Sequence, residues 1–279
     1  MTVLTPGPKQ SADTYAAIRN TARRFVDNRV RPIATELDRT EAFPHDLYRE
    51  MSALGLVGIT VPDTAGGAGL DVLSYALVME ELSRGYSSVA DQCGLVELIG
   101  TLLTTHGTDA QRDQYLPKIL TSQELVAYCI TEAEAGTDVS GIKTTATRDG
   151  DGWRLSGSKL WIHNAPVAGT AYVLARTDPA AGHRGMSIFI VDLASPGVTR
   201  GPKEHKMGQR ASQVGGLSFE NVRLPGNALL GEFNRGFHII MSVLDKGRIG
   251  IAALAVALPR RRWRPRSPMP RRAANSANP

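Results

Sequence analysis

The chain has 279 residues, 42 % of them hydrophobic and 21 % charged, enough for one large or two modest folded domains. Its net charge of +5 is misleading: residues 259–279 hold seven arginines and no acid, which leaves 1–258 at −2. The basic tail has no aromatic interleaving and no groove-reading motif, no apolar run is long enough to span a bilayer, and the start lacks a signal-peptide pattern. The expectation is therefore no nucleic-acid partner, no membrane partner and a cytoplasmic location.

In chain order, residues 14–37 carry apolar side chains at three-four spacing and predict a helix, which Pro32 kinks or splits. A short helix over 46–54 follows the loop at Phe43-Pro44. A glycine-rich loop over 63–69 leads to Asp71, a candidate N-cap. Helices over 72–84, 88–105 and 109–120 complete an N-terminal helical domain of residues 1–120. The period then changes to that of strands: 126–131, 142–148, 153–156, 159–163, 171–175, 186–191, 198–203 and 216–219. Asp149-Gly150-Asp151-Gly152 is a hairpin signal. Residues 121–232 thus predict an antiparallel β-domain. Helical spacing returns over 233–258, and Pro259 is expected to end that helix. The tail, 259–279, has five prolines and is expected to be disordered. The overall class is α+β. Cys93 and Cys129 lie in apolar runs and predict buried free thiols.

Two segments carry the chemistry. Residues 127–138 run from an apolar strand (Tyr128, Cys129, Ile130) into the hydroxyl of Thr131, then a small loop with Gly136 and Thr137. Residues 159–164 form a strand containing Trp161, His163 and Asn164. A hydroxyl with neighbouring backbone N–H groups suits the polar edge of an isoalloxazine, and a glycine turn can bring donors to a pyrophosphate. Trp161 offers a face to stack on a ring. Taken singly, each of these is better read as a capped strand end or a core tryptophan; together, in this order, they favour a flavin. Glu132 and Glu134 flank the turn and are expected to be solvated. The histidines are scattered without metal-ligand spacing, and no Rossmann fingerprint follows a strand.

This constellation resembles the acyl-CoA dehydrogenase family. Residues 127–138 are similar to its Thr-Glu-x-x-x-Gly-Ser-Asp segment, and Lys159-Leu160-Trp161-Ile162 to its strand against the flavin. Met207 to Ser212, Phe219 to Pro225, Phe43-Pro44 and Gly66-Gly67 resemble further family blocks, over about residues 12–258. The resemblance implies a helical N-domain, a β-domain, a C-terminal helical bundle and non-covalent FAD. It implies that Tyr128, Ile130, Thr131, Gly136, Thr137, Trp161 and His163 contact FAD. Thr131 would meet the pyrimidine edge, Thr137 the pyrophosphate, and Trp161 the ring face. His163 stands where the family has threonine or serine donating towards flavin N5. A neutral histidine still offers one donor; the alternative is that His163 points away and Asn164 or backbone serves instead. Thr137, Asp245 and Arg248 are implied as substrate-binding, the last two along a CoA channel. Equally, Asp245 and Arg248 are an i,i+3 helix ion pair.

The implied activity is FAD-dependent α,β-dehydrogenation of an acyl-CoA thioester in acyl-CoA catabolism. Electrons would pass to electron-transfer flavoprotein, and the intact family forms homo-oligomers. A glutamate takes the α-proton while the flavin takes the β-hydride. That glutamate comes from the late C-terminal region or, in a minority, from the first bundle helix, where this chain has Gly247. No catalytic base is therefore assigned. The change of composition after Leu258 reads as a truncation or frameshift, with only the first bundle helix (233–258) kept. The rival expectation is an inactive fragment or a flavin/CoA-binding module.

Overall fold

A computed structural model describes residues 9–262. Helix α1 (Ala12–Phe25) begins at Ser11, whose hydroxyl accepts from the Thr14 amide at 3.1 Å. It runs into a π-helical turn (Val26–Val30), breaks over 31–33 at Pro32, and resumes as α2 (Ala34–Thr40). Helices α3 (His45–Ala53), α4 (Val72–Gly85), α5 (Ser87–His106) and α6 (Asp109–Leu120) follow. Asp71 caps α4 through the Ser74 amide, 2.9 Å. Thr108 and Gln111 form a reciprocal capping box on α6.

The β-region has strands β1 (Val126–Cys129), β2 (Thr145–Asp149), β3 (Gly152–His163), β4 (Thr170–Arg176), β5 (Met186–Asp192), β6 (Val198–Lys203), β7 (Val214–Leu224) and β8 (Leu229–Leu230). They form one sheet in the order β6-β7-β3-β2-β4-β5-β8, with β1 beside β4. Pairing is antiparallel except for β1 with β4 and a single parallel bridge between β2 and β4. Residues 153–156 and 159–163 belong to one strand, not two. The interruption between them is a bulge, where Gly157 takes φ +143 and a Cβ would lie 2.5 Å from Thr144.

The sheet is buried on both faces, which is why β4 and β5 read as continuous apolar runs. Tyr172, Leu174, Ile188 and Ile190 face the helices; Ala171, Val173, Phe189 and Val191 join a second core with Trp153, Leu155 and Phe219. Trp153 packs edge-on against Phe189 at 5.1 Å. Cys93 and Cys129 are buried free thiols.

Helix α7 (Gly236–Arg262) lies on α4 and α5. The approach is close: a Cβ at Gly250 would stand 2.0 Å from the Tyr75 hydroxyl. The Ser83 hydroxyl donates to the Leu254 carbonyl at 2.8 Å. Lys246 is nearly buried, with Nζ 2.8 Å from Thr101 Oγ1, 3.4 Å from Glu97 Oε1 and bonded to Thr60 Oγ1. The expectation that Pro259 ends this helix is corrected, since it continues through Arg262. A proline removes one N–H and crowds the carbonyl four residues back, a cost that a helix otherwise held by packing absorbs. The expected disorder of the rest of the tail lies outside the described residues. Ile249, Ile251, Val256 and Leu258 are exposed on α7. No described helix is long and apolar enough to cross a membrane.

Candidate functional site

The site grows from the last third of β3. Its pairing with β7 slips between Lys159 and Ile162, and the extra residue pushes Trp161 outward. Trp161 is 66 % exposed and takes φ +55, a left-handed conformation that a bulky residue adopts only at a cost. The Leu160 amide donates to the Thr131 carbonyl at 3.0 Å, so the end of the β1 segment and the tryptophan strand are directly joined. Thr131, Tyr128 and Ile130 are half-buried beside it. The Tyr128 hydroxyl is buried and lacks a partner among the described residues. Gly136 and Thr137 are exposed at the far side of the loop. Gly136 has no left-handed φ and a Cβ there would meet nothing within 4 Å, so the fold itself does not require glycine.

His163 ends β3 half-buried. Its Nδ1 lies 3.5 Å from Asp91 Oδ2, which also accepts from the Ser212 hydroxyl at 3.0 Å. Its Nε2 is buried without a partner among the described residues. Burial lowers the imidazole pKa; Asp91 opposes this and Lys206 adds to it. Asn164, at φ +63, is fully buried, and its amide donates to Gln92 Oε1 at 2.9 Å and the Val126 carbonyl at 3.1 Å. Its donors are therefore spent inside the protein, which removes the reading in which Asn164 replaces His163.

Two clefts meet here. One, of about 540 Å³, lies between α5 and α7 and is lined by Asp91, His163, Leu98, Leu244, Gly247 and Arg248 among others. The other, of about 450 Å³, is lined by Asp91, Trp161, Lys206, Gly208, Gln209 and Ser212 among others. Asp91 is shared by both. Lys206 holds the second cleft in shape by donating to the carbonyls of Gln209 (2.7 Å) and Ser212 (2.6 Å). Asp245 is ion-paired with Arg248 one turn on; both are more than half exposed. The helix ion pair is thus present, and Arg248 also lines the first cleft.

One expectation is corrected. Glu132 is not solvated: it is buried and pairs with buried Lys159 at 2.8 Å. Burial alone would raise its pKa, but hydrogen bonds from Lys159, Thr144 and the Lys143 amide, with the Lys159 charge, outweigh that and hold it below the usual range. Burial lowers the Lys159 pKa against the pull of Glu132. Glu134 is exposed, as expected, and pairs with Lys143. Asp91 and Lys206 were also invisible in the sequence: Asp91 is one of several polar residues in a largely apolar helix, and nothing local marks its partners. Among the described residues no group of three or more His, Cys, Asp or Glu is placed to hold a metal.

Residues 12–123 match the family model of the acyl-CoA dehydrogenase N-terminal domain, and residues 127–222 that of its middle domain. The chain belongs to the acyl-CoA dehydrogenase family. It is 39 % identical over 251 residues to the mitochondrial short-chain specific acyl-CoA dehydrogenase of Bos taurus, covering 88 % of this chain and 60 % of that relative. Butyryl-CoA dehydrogenase from Megasphaera elsdenii superposes with a TM-score of 0.86 at 36 % identity, covering 91 % of this chain and 68 % of that one. A glutaryl-CoA dehydrogenase from Mycobacterium smegmatis in complex with FADH2 superposes at 0.82 with 31 % identity, covering 90 % and 64 %. The chain spans about 60 % of the length of the curated relatives it matches. Against this acyl-CoA dehydrogenase background the residues suit a flavin: an outward tryptophan on a strained bulge, a half-exposed threonine at a strand end, and two buried polar atoms without partners.

Proposed function

We propose that this chain binds FAD and an acyl-CoA thioester and belongs to an enzyme of α,β-dehydrogenation that passes electrons to electron-transfer flavoprotein in the cytoplasm. The observation that carries the reading is Trp161, a large aromatic held outward at φ +55 where two clefts converge on Asp91. Strain in an exposed aromatic is retained where a ligand uses it. When bound, FAD supplies the hydride acceptor. Trp161 offers its face to the ring, and Thr131 with the backbone at the end of β1 meets the ring's polar edge. Gly136 and Thr137 reach the pyrophosphate, which the open surface around Gly136 permits. His163, which lines the first cleft, stands on the side of flavin N5. The largely apolar cleft between α5 and α7 receives the acyl group, with Arg248 and Asp245 near its mouth toward CoA.

Gly247 lines that cleft and brings no side chain, so the α-proton is not taken from that position. This favours a second form of the same reading, in which the chain binds ligands without turning them over. In both, residues 1–120 and 121–232 act as the helical and β walls of the site and 233–258 as the first bundle helix. The exposed apolar residues of α7 are the face on which further helices or a second subunit pack. Spectroscopic titration of the purified chain with FAD tests the binding claim, and turnover of several acyl-CoAs with an artificial acceptor tests activity. Saturable FAD binding with negligible turnover is the expected result; no binding overturns the proposal, and robust turnover overturns the non-catalytic form.

A further inference from the structure

Behind the candidate cofactor surface lies a buried ion pair that neither cleft exposes. Lys159 has a fully covered side chain and Glu132 is 9 % exposed. Lys159 Nζ donates to Glu132 Oε1 at 2.8 Å and to the Ile130 carbonyl at 2.9 Å. Glu132 accepts from the Thr144 amide through Oε1 at 3.0 Å and from the Lys143 amide through Oε2 at 2.6 Å. The backbones of Glu132 and Ala135 bond reciprocally, closing the turn between them. One pair of side chains therefore joins three places: the exit of β1 beside Thr131, the far end of the loop carrying Gly136 and Thr137, and β3 two residues before Trp161.

A buried ion pair is weak in net stabilisation, because desolvation offsets most of the attraction and apolar replacements are often as stable. What it supplies here is direction. Its four hydrogen bonds have fixed donors and acceptors in segments distant in sequence, and apolar contacts would let those segments slide. The segments so joined are those that carry Thr131, Thr137 and Trp161.

We propose that Glu132 and Lys159 are positioning residues that set the spacing of Thr131, the 133–142 loop and Trp161 before any ligand arrives. Neither touches the ligand; the pair acts by making the surface pre-formed, which lowers the ordering cost of binding. The inference rests on the FAD reading above.

The test compares the full chain with Lys159→Met, Glu132→Gln and the double variant. Three readouts are taken: FAD affinity by titration, thermal unfolding, and amide hydrogen exchange across residues 131–144. Each single variant leaves unbalanced polarity in the interior and is expected to melt earlier. The double variant removes both charges at near-constant volume and is expected to recover most of the melting temperature. Its FAD affinity is expected to stay about tenfold weaker, by analogy with the roughly 10–100-fold that loss of an orienting partner costs at metal sites. Exchange over 131–144 is expected to be faster, with the N-terminal helices unchanged. Recovery of FAD affinity together with melting temperature in the double variant would make the pair merely structural and overturn the proposal, as would unchanged exchange. If the unmodified chain binds no FAD, the cofactor reading fails by itself, and the exchange measurement still decides whether the pair holds the loop. Should the Met variants not fold, Glu132→Gln alone, which is isosteric, is read by the same three measurements.

Discussion

Replacing Trp161 with glycine should separate folding from binding. Trp161 is 66 % exposed, so about a third of its surface, on the order of 80 Å², is covered. At ~25 cal/mol per Å² that contact contributes about 2 kcal/mol. Against it stands the left-handed backbone, which costs a bulky residue roughly 1–2 kcal/mol and glycine nothing. Glycine's greater freedom in the unfolded chain costs about 0.5–1 kcal/mol. The balance is a loss of only about 1 kcal/mol for deleting one of the largest side chains in the protein. Truncating buried Trp153 to alanine should cost about 3–5 kcal/mol. Urea unfolding of Trp161→Gly and Trp153→Ala measures the contrast, and FAD titration of Trp161→Gly measures the function. The expected outcome is near-native stability with clearly weakened FAD binding. A loss of stability comparable to that of Trp153→Ala would show that Trp161 is a structural residue, and unchanged FAD affinity would remove it from the site.

Three further outcomes follow from the charge placements. Lys246→Met should destabilise the chain by about 3 kcal/mol in a denaturant titration, because it strands Glu97 in the interior. The loss falls at the low end for a broken buried pair, since Glu97 keeps the Ile59 and Thr60 amides as donors. His163 should titrate below 6.5 in a histidine NMR pH series, and Asp91→Asn should lower it further, because Asp91 is what opposes the effect of burial. Since the folded state disfavours the imidazolium, the stability linked to His163 is complete above about pH 6.5 and declines as pH drops below it. Glu41 is held at about 2 by hydrogen bonds from Lys203 and Arg210. Glu81 is also held at about 2: burial pushes it upward, and Arg23, Arg19 and Arg84 more than reverse that. Both depressed carboxyls contribute stability that is full above about pH 4.5 and lost as pH falls toward about 2, and Glu41→Gln or Glu81→Gln should flatten that acid limb of the unfolding curve.

Where local rules suffice, the sequence by itself determined the answer. Helix α6 starts at 109 because Thr108 and Gln111 cap it reciprocally, and both partners lie within four residues. The strand-to-loop order of 127–138 and the tryptophan strand at 159–163 carried the resemblance to the acyl-CoA dehydrogenase family, because residue types in order are written along the chain. Only the tertiary structure decided which polar groups meet. Glu132 looks solvated beside an alanine and a glycine turn; a lysine 27 residues away in β3 makes it a buried brace. Asp91 is ordinary within its helix and gains its meaning from His163, 72 residues on, and Ser212, 121 residues on. Taken alone Trp161 could sit in the core, and it is the bulge against β7 that turns it outward; Pro259 reads as a helix stop until α7 continues past it. The physical reason is one of range. Caps, turns and periodicity depend on bonds spanning a few residues, whereas burial of a charge, the pairing of β3 with β7 and the seating of α7 on α4 and α5 depend on which distant surfaces the whole chain brings together.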